Sequence, residues 1–510
     1  MDNPILLGLD GFSIEALAQI ARNGALVAID DDSQARIENA RRLIEAWVAE
    51  GRTIYGVTTG FGALSEVAIS TDAACRLQEN ILKSHSVGIG KELASEIVRA
   101  MMALKIKDLA RGNSGIRLDT VRLLVELLNR GVCPVVPEKG SVGASGDLVP
   151  LAHLSLVLIG LSEADYQGRR LDGAAALAAC GLSPLRLEAA EGLALINGTQ
   201  AMTAIGALAV LDAIRLAKLI DIAAAMSLEV LMGSRTEFDP RIHRMRPHPG
   251  QRRAAKNMER ITRDSEIITS HADCHRVQDA YTLRCSPQVH GASKDAIDYA
   301  RIAIETEMNA STGNPLIFAD REDFVLGGNF HGQPVAMALD FLSIGVSELA
   351  NISERRIERL VNPMLSGLPA FLVQDGGLNS GYMVAQYAAA ALVSENKVLS
   401  HPAVVDSIPT SANKEDHVSM GMTSARKARE IVANAEAVVA IELMCAAQAM
   451  DLFTNTRPGV GTLVAYRAIR QVLPHLEADR ILADDVKTVL RLMRGGEILD
   501  AVEKVIGPLY

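Results

Sequence analysis

The 510-residue sequence predicts a mainly α fold built around a bundle of long helices. Three observations carry that expectation. Hydrophobic residues are 49% of the chain but aromatics only 4%, so Ala, Leu, Ile, Val and Met must fill the core. Ala, Leu and Met favour helix. Three stretches, 200–232, 335–361 and 423–450, keep helical character throughout. Helices of that length reach roughly 45 Å, which suits a long bundle and not a compact α/β sheet. Glycine-rich or polar segments at 55–62 (YGVTTGFG), 138–150 (EKGSVGASGDLVP), 321–334 and 401–417 interrupt the pattern. Such loops on a rigid scaffold are where chemistry tends to sit.

Taken in order, residues 34–50 carry apolar positions at helical spacing until Gly51 stops them. Residues 120–129 show a Leu/Val stripe that ends near Gly131. A chain this long calls for more than one packed region. A boundary near residue 200 separates a loop-rich N-terminal region, 1–200, from a long-helix region, 201–510.

Composition excludes several functions. The net charge is −10 and no dense Lys/Arg run appears, which argues against nucleic acid. The six cysteines are scattered without a CxxC pair and read as free thiols in a reducing, cytoplasmic setting. The opening MDNPILLGLDGFS lacks the basic start of a signal peptide. The apolar stretch 201–232 is broken by Asp212, Arg215, Lys218, Asp221 and Glu229, so it reads as a buried helix and not a membrane span. GxSxG, the phosphate loop and HExxH are absent. His271, Cys274 and His275 have a helical spacing that could hold a metal, but no further ligand lies nearby in sequence. They read as a polar helix face, and no metal is expected.

The segment Gly143-Ala144-Ser145-Gly146-Asp147 calls for its own explanation. Glycines flanking Ala-Ser permit a tight bend. In such a bend the Gly146 nitrogen can attack the Ala144 carbonyl carbon, and loss of two waters leaves Ser145 as an exocyclic methylene on a five-membered ring. That product is an electrophile no standard side chain provides.

The tripeptide alone is a weak signal, and its surroundings carry more. The chain resembles the histidine/phenylalanine ammonia-lyase family over nearly its full length. The resemblance rests on YGVTTGFG, SVGASGDLVPLAH (141–153), EGLALINGTQ (191–200), VQDAYTLRCSPQV (277–289), GGNFHG (327–332) and SANKEDHVSM (411–420). It implies an aspartase/fumarase-like helical fold and a 4-methylideneimidazol-5-one (MIO) cofactor made autocatalytically from Ala144, Ser145 and Gly146. It also implies a homotetramer whose active sites are shared between subunits.

By resemblance, Tyr55 is the base that removes the substrate β-proton. Asn197 and Tyr281 hydrogen-bond the cofactor and orient the amine, and Arg284 clamps the carboxylate, for which its planar fork is suited. Gln278 shares a helix face with Tyr281 if that stretch is helical. Phe330 forms an aromatic wall. Ser84-His85 resembles the histidine-lyase version of the substrate pocket, and Glu415 matches the acidic residue opposite it. Together they offer an imidazole a donor and an acceptor, which a phenyl ring would leave unpaired. The expected reaction is therefore L-histidine to trans-urocanate and ammonia. Two departures stand against the family pattern: Lys414 replaces a common Gln, and Gly313 replaces a usual Asp. The alternatives are a lyase or 2,3-aminomutase for another aromatic amino acid, or a non-catalytic helical assembly protein.

Overall fold

The computed structural model describes residues 3–9, 11–274 and 277–510. Among these are 21 α-helices and nine short strands, so the fold is mainly α as expected. The helices Gln200–Val230, Gln333–Val361 and Gly421–Met450 run 31, 29 and 30 residues, each within two residues of the sequence reading. A fourth long helix, Ser286–Met308, was not anticipated. It contains Pro287 and Gly291, residue types that commonly interrupt helices. Pro287 lies in the first turn, where a missing N–H costs nothing. Gly291 meets Gly250 backbone to backbone: a Cβ on Gly291 would lie 2.2 Å from the Gln251 nitrogen. The close crossing of two helices, not a break, demands the glycine.

The chain forms two compact units, and neither is continuous. One comprises Met1–Leu211, Ala300–Asp340 and Pro402–Arg426; the other comprises Asp212–Tyr299, Phe341–His401 and Lys427–Tyr510. A single boundary at 200 therefore does not describe the chain. The four long helices each contribute residues to both units, which composition along the sequence does not reveal.

In the first unit the helix Ser95–Leu109 is central, and eleven of its fifteen residues are buried, Lys105 and Lys107 among them. Helix starts are fixed locally: the Ser13 and Asp30 side chains accept the Ala16 and Ser33 N–H groups. Ile44, Trp47, Ile54, Val57 and Ala190 form a cluster beneath the start of the Tyr55 loop. Ile89–Glu92 pairs antiparallel with Pro137–Lys139, with Ile89 opposite Lys139, and this leads the chain into the segment before Ser145.

The second unit packs helices around buried ion pairs. Arg356 and Glu442, both fully buried, meet at 2.6 Å, and Ser227 and Ser353 donate to the same carboxylate. His290 and Lys294 share the buried Asp221. Breaking such a pair leaves an uncompensated charge and costs several kcal/mol, about 3–5. In contrast, the apolar helix Met383–Leu399 buries only Ala385, Ala389 and Asn396. Val384, Tyr387 and Val398 remain exposed on it.

Candidate active site

The segment 141–147 is held from several directions. The Asp147 N–H donates to the Gly198 carbonyl at 2.7 Å, and the Gly198 N–H donates to the Ser145 carbonyl at 3.2 Å. The Met420 N–H donates to the Val142 carbonyl at 3.0 Å. Asp147, fully buried, accepts from the Met202 N–H at 2.7 Å and the Ser141 hydroxyl at 3.2 Å. Burial pushes the Asp147 carboxyl up to about 7, against the pull of those donors. Gly146 has φ +76°, and a Cβ there would sit 2.1 Å from the Gly198 oxygen. Only glycine fits, because both conformation and space forbid a side chain.

This arrangement suits the ring the sequence suggests. The Ser145 carbonyl already has two donors, the Gly198 N–H and Asn197 Nδ2 at 3.4 Å. Asn197 Oδ1 is buried with no partner, so an acceptor stands free beside Ser145. The Ser145 hydroxyl lies 3.4 Å from Glu415 Oε1. Asn197 and Gly198 with the Ser145 segment are thus the residues that would hold the group.

Ser145 and Asn197 open onto a pocket of about 600 Å³ that Tyr55, His85 and Glu415 also line. Tyr55 arrives on the loop after Ile54; its hydroxyl accepts the Gly62 N–H at 3.2 Å, and Phe61 meets its ring edge-on. His85 ends the helix Thr71–His85, with Nδ1 3.0 Å from the Ser84 hydroxyl. Burial holds the His85 imidazole below its usual range, while the nearby Glu415 carboxylate works the other way. Glu415 is fixed by the Thr410 hydroxyl, which donates to Oε2 at 2.8 Å. Ala144 is buried behind Ser145.

Four candidates are not among the residues lining this pocket. Phe330, half-buried beyond Gly327-Gly328, does not line this pocket. Gln278 and Arg284 line a different pocket in the second unit, with Arg235, Glu237 and His271. Tyr281 is 71% exposed, and the Arg284 guanidinium lies 4.9 Å from its ring centre. Gln278 and Tyr281 do not share a helix face. Helix begins only at Tyr281, because Ala280 is extended with ψ 152°. Arg284 Nε is buried without a partner among the described residues.

His271 is half-buried, with its ring nitrogens 2.8 and 3.1 Å from the Ile267 and Gly233 carbonyls; Cys274 is exposed, and His275 lies outside the described residues. Lys414 is exposed and does not line the Ser145 pocket. A Cβ on Gly313 would meet nothing within 4 Å, and nothing in the structure explains the glycine. Sequence reasoning marked Ser84 beside His85 but missed Leu77, Asn80 and Ile81, which line the same pocket. Together with Ser84 they lie at spacings of 3, 4 and 7 residues from Leu77, on one helix face, so the signal was there. It also missed Ser411, which no spacing marks.

The family model described as aromatic amino acid lyase matches residues 12–471. A histidine ammonia-lyase of Gloeobacter violaceus is 57% identical, covering 99% of this chain and 98% of that protein. Among solved structures, histidine ammonia-lyase from Trypanosoma cruzi superposes with a TM-score of 0.92 at 44% identity, covering 99% of this chain and 96% of that one. Tyrosine aminomutase from Streptomyces globisporus does so at 0.93 and 36%, covering 99% of each. With most of its length matched and close relatives spanning it end to end, the chain belongs to the aromatic amino acid lyase family.

Proposed function

We propose that this chain converts L-histidine to trans-urocanate and ammonia. The observation that carries the reading is the convergence of Ser145, Asn197, Tyr55, His85 and Glu415 on one pocket. The likeness to histidine ammonia-lyases at more than half identity supports it.

In the reaction the substrate loses a β-hydrogen and its α-nitrogen. The Cβ–H pair becomes the new Cα=Cβ bond while the proton passes to the base, and the Cα–N bonding pair leaves with the protonated nitrogen as ammonia. Both partings are difficult, since the β-hydrogen is weakly acidic and the amine leaves poorly. A ring formed from Ala144, Ser145 and Gly146 supplies an electrophile that improves the leaving group. The Tyr55 oxygen is the base for the β-proton. Asn197 orients the amine through its free Oδ1. Glu415 and His85 take the two imidazole nitrogens, one accepting and one donating. A neutral His85, which its burial favours, can do either.

The carboxylate needs a cation, and none of the lining side chains of the Ser145 pocket supplies one. Arg284, with its buried unpartnered Nε, is suited to this, and Gln278 and Tyr281 neighbour it in sequence. We assign these three and Phe330 to the completed site in a homotetramer whose copies share active sites. The exposed apolar side chains of Met383–Leu399 support assembly, because monomers seldom leave such a face in water. All six cysteines are free, which suits a reducing cytoplasm.

The second reading is an aminomutase, favoured by the fold likeness to tyrosine aminomutase. Purified protein given a panel of amino acids decides. Ammonia and urocanate from histidine, with phenylalanine and tyrosine poor, are expected. Turnover of phenylalanine or tyrosine without histidine sinks the histidine reading, and a β-amino acid product indicates the mutase.

A further inference from the structure

Behind the Ser145 pocket lies a buried lysine that the proposed mechanism does not use. Lys105 is fully buried on the helix Ser95–Leu109. Its Nζ donates to the Asn197 carbonyl at 2.8 Å and stands 3.3 Å from Asp108. Asp108 is itself drawn on by the Thr312 N–H and the Gln200 amide, each at 3.2 Å. Taking an ammonium out of water costs several kcal/mol even with a partner. Met or Leu would fill the same space without that cost, so the cation needs a reason.

The geometry supplies one. The carbonyl that Lys105 grips belongs to the Asn197–Gly198 peptide, whose N–H donates to the Ser145 carbonyl at 3.2 Å. Hydrogen bonds in series polarise one another. A cation on the carbonyl end of a peptide withdraws electron density and makes its N–H a stronger donor. The same grip fixes Asn197, whose Nδ2 also points at the Ser145 carbonyl.

We infer that Lys105 is a positioning residue that strengthens, through the Asn197–Gly198 peptide, the hydrogen bond onto the Ser145 carbonyl oxygen. The inference rests on the reading of Ala144-Ser145-Gly146 as the source of the ring, in which that oxygen is kept and takes up charge during turnover. A merely structural lysine would only satisfy the Asn197 carbonyl, and a neutral amide could replace it. A polarising lysine requires the charge.

Lys105→Gln and Lys105→Met separate these roles in the full-length protein. Both are expected to lower kcat roughly 10- to 100-fold, the range seen when outer supports of a reacting group are removed, with KM within about threefold. Lys105→Arg, which keeps the charge, is expected to recover most of kcat. Wild-type kcat in Lys105→Gln, or equal losses in Gln and Arg, overturns the inference. Should the neutral variants not fold, the Nζ nitrogen shift of Lys105 in the wild-type protein decides. An ammonium at the pH of maximal turnover upholds the inference, and a neutral amine overturns it. Intact mass keeps the two readings apart. A wild-type protein at the plain sequence mass defeats the ring itself. A wild type lighter by two waters, alongside a Lys105→Gln variant that is equally light and fully active, defeats only the role of Lys105.

Discussion

Two glycine-rich loops meet at the Ser145 pocket, and they are built differently. The 141–147 turn is tied to Gly198, Met202 and Met420 by backbone and buried side-chain hydrogen bonds, with Asp147 fully buried. The Tyr55 loop is anchored over 54–60, where Ile54 and Val57 join the core and Gln78 Nε2 donates to the Gly56 carbonyl at 3.1 Å, but beyond Phe61 it is tied mostly to itself: Gly62 to Tyr55, Gly60 to Val67 and Ile69 to Thr58. It leaves Leu64 65% and Val67 51% exposed. Its one hydrogen bond to the 401–417 segment runs from the Ala63 N–H to the Ser411 hydroxyl at 3.0 Å. The contrast matches the two tasks. Ring closure needs a backbone held in one unusual bend. A base that must admit and release substrate is served by a neighbouring segment with few buried contacts to break, and residues 61–69 include no buried position.

Single substitutions that take each loop apart give the largest effects. Ser145→Ala is expected to fold and assemble but lose about 10³-fold or more in kcat, and its intact mass should equal the plain sequence. Near-wild-type turnover would be fatal to the mechanism. Tyr55→Phe should lose roughly 10²- to 10⁴-fold in kcat yet remain lighter by two waters, since the 141–147 turn does not depend on that hydroxyl. If Tyr55→Phe stays at the plain sequence mass, the two loops do not act separately and the comparison fails.

A smaller effect tests the pocket wall between the loops. Glu415 lies within reach of the Ser145 hydroxyl and is anchored by Thr410, while His85 faces it from the helix end. Glu415→Gln removes a charged acceptor, a change worth about 1.5–3 kcal/mol per hydrogen bond. The kcat/KM preference for histidine over phenylalanine should therefore fall roughly 10- to 100-fold. Lys414→Gln, altering an exposed side chain outside the pocket, should leave that ratio unchanged. The reverse ranking of these two variants would move specificity out of the pocket.

How much of this was legible in the sequence depended on range. The long helices were, because composition and spacing act locally. The helix Ser286–Met308 was not, since Gly291 is explained only by its crossing with Gly250. Five of the candidate residues, Tyr55, His85, Ser145, Asn197 and Glu415, line one pocket although they span 360 positions. Motifs marked each of them, but no spacing could have joined them. Tyr281, Gln278 and Arg284 were marked just as well, yet they are not among the residues that line it. Lys105 was invisible. In MMALKIKDL a lysine reads as the exposed side of a helix, and only tertiary packing makes it a buried cation.

The smallest expected effect concerns what anchors the rigid turn. Asp147 is unpaired by any cation among the described residues, and burial raises its carboxyl from 3.8 to about 7. A carboxyl raised on folding stabilises fully below its unfolded value and loses that contribution as pH climbs through the folded one. The turn should therefore hold the fold less firmly at pH 8 than at pH 5. Glu229 and Glu237 are also raised to about 7, so the wild-type slope alone does not isolate Asp147. The difference between wild type and Asp147→Asn does. Asparagine can still accept the Met202 N–H, and its amide N–H can donate to Ser141 Oγ in place of the second carboxylate oxygen, so the exchange adds an offset that does not vary with pH. Against that constant, the wild type should lose on the order of 2 kcal/mol relative to the variant between pH 5 and 8. Thermal unfolding of both proteins across that range measures it. A difference that stays flat means Asp147 is ionised throughout, and the turn is then anchored by charged hydrogen bonds instead of a neutral acid. The Tyr55 loop has no comparable buried acid among its described hydrogen bonds, so Tyr55→Phe should leave the pH dependence of unfolding as it is in the wild type.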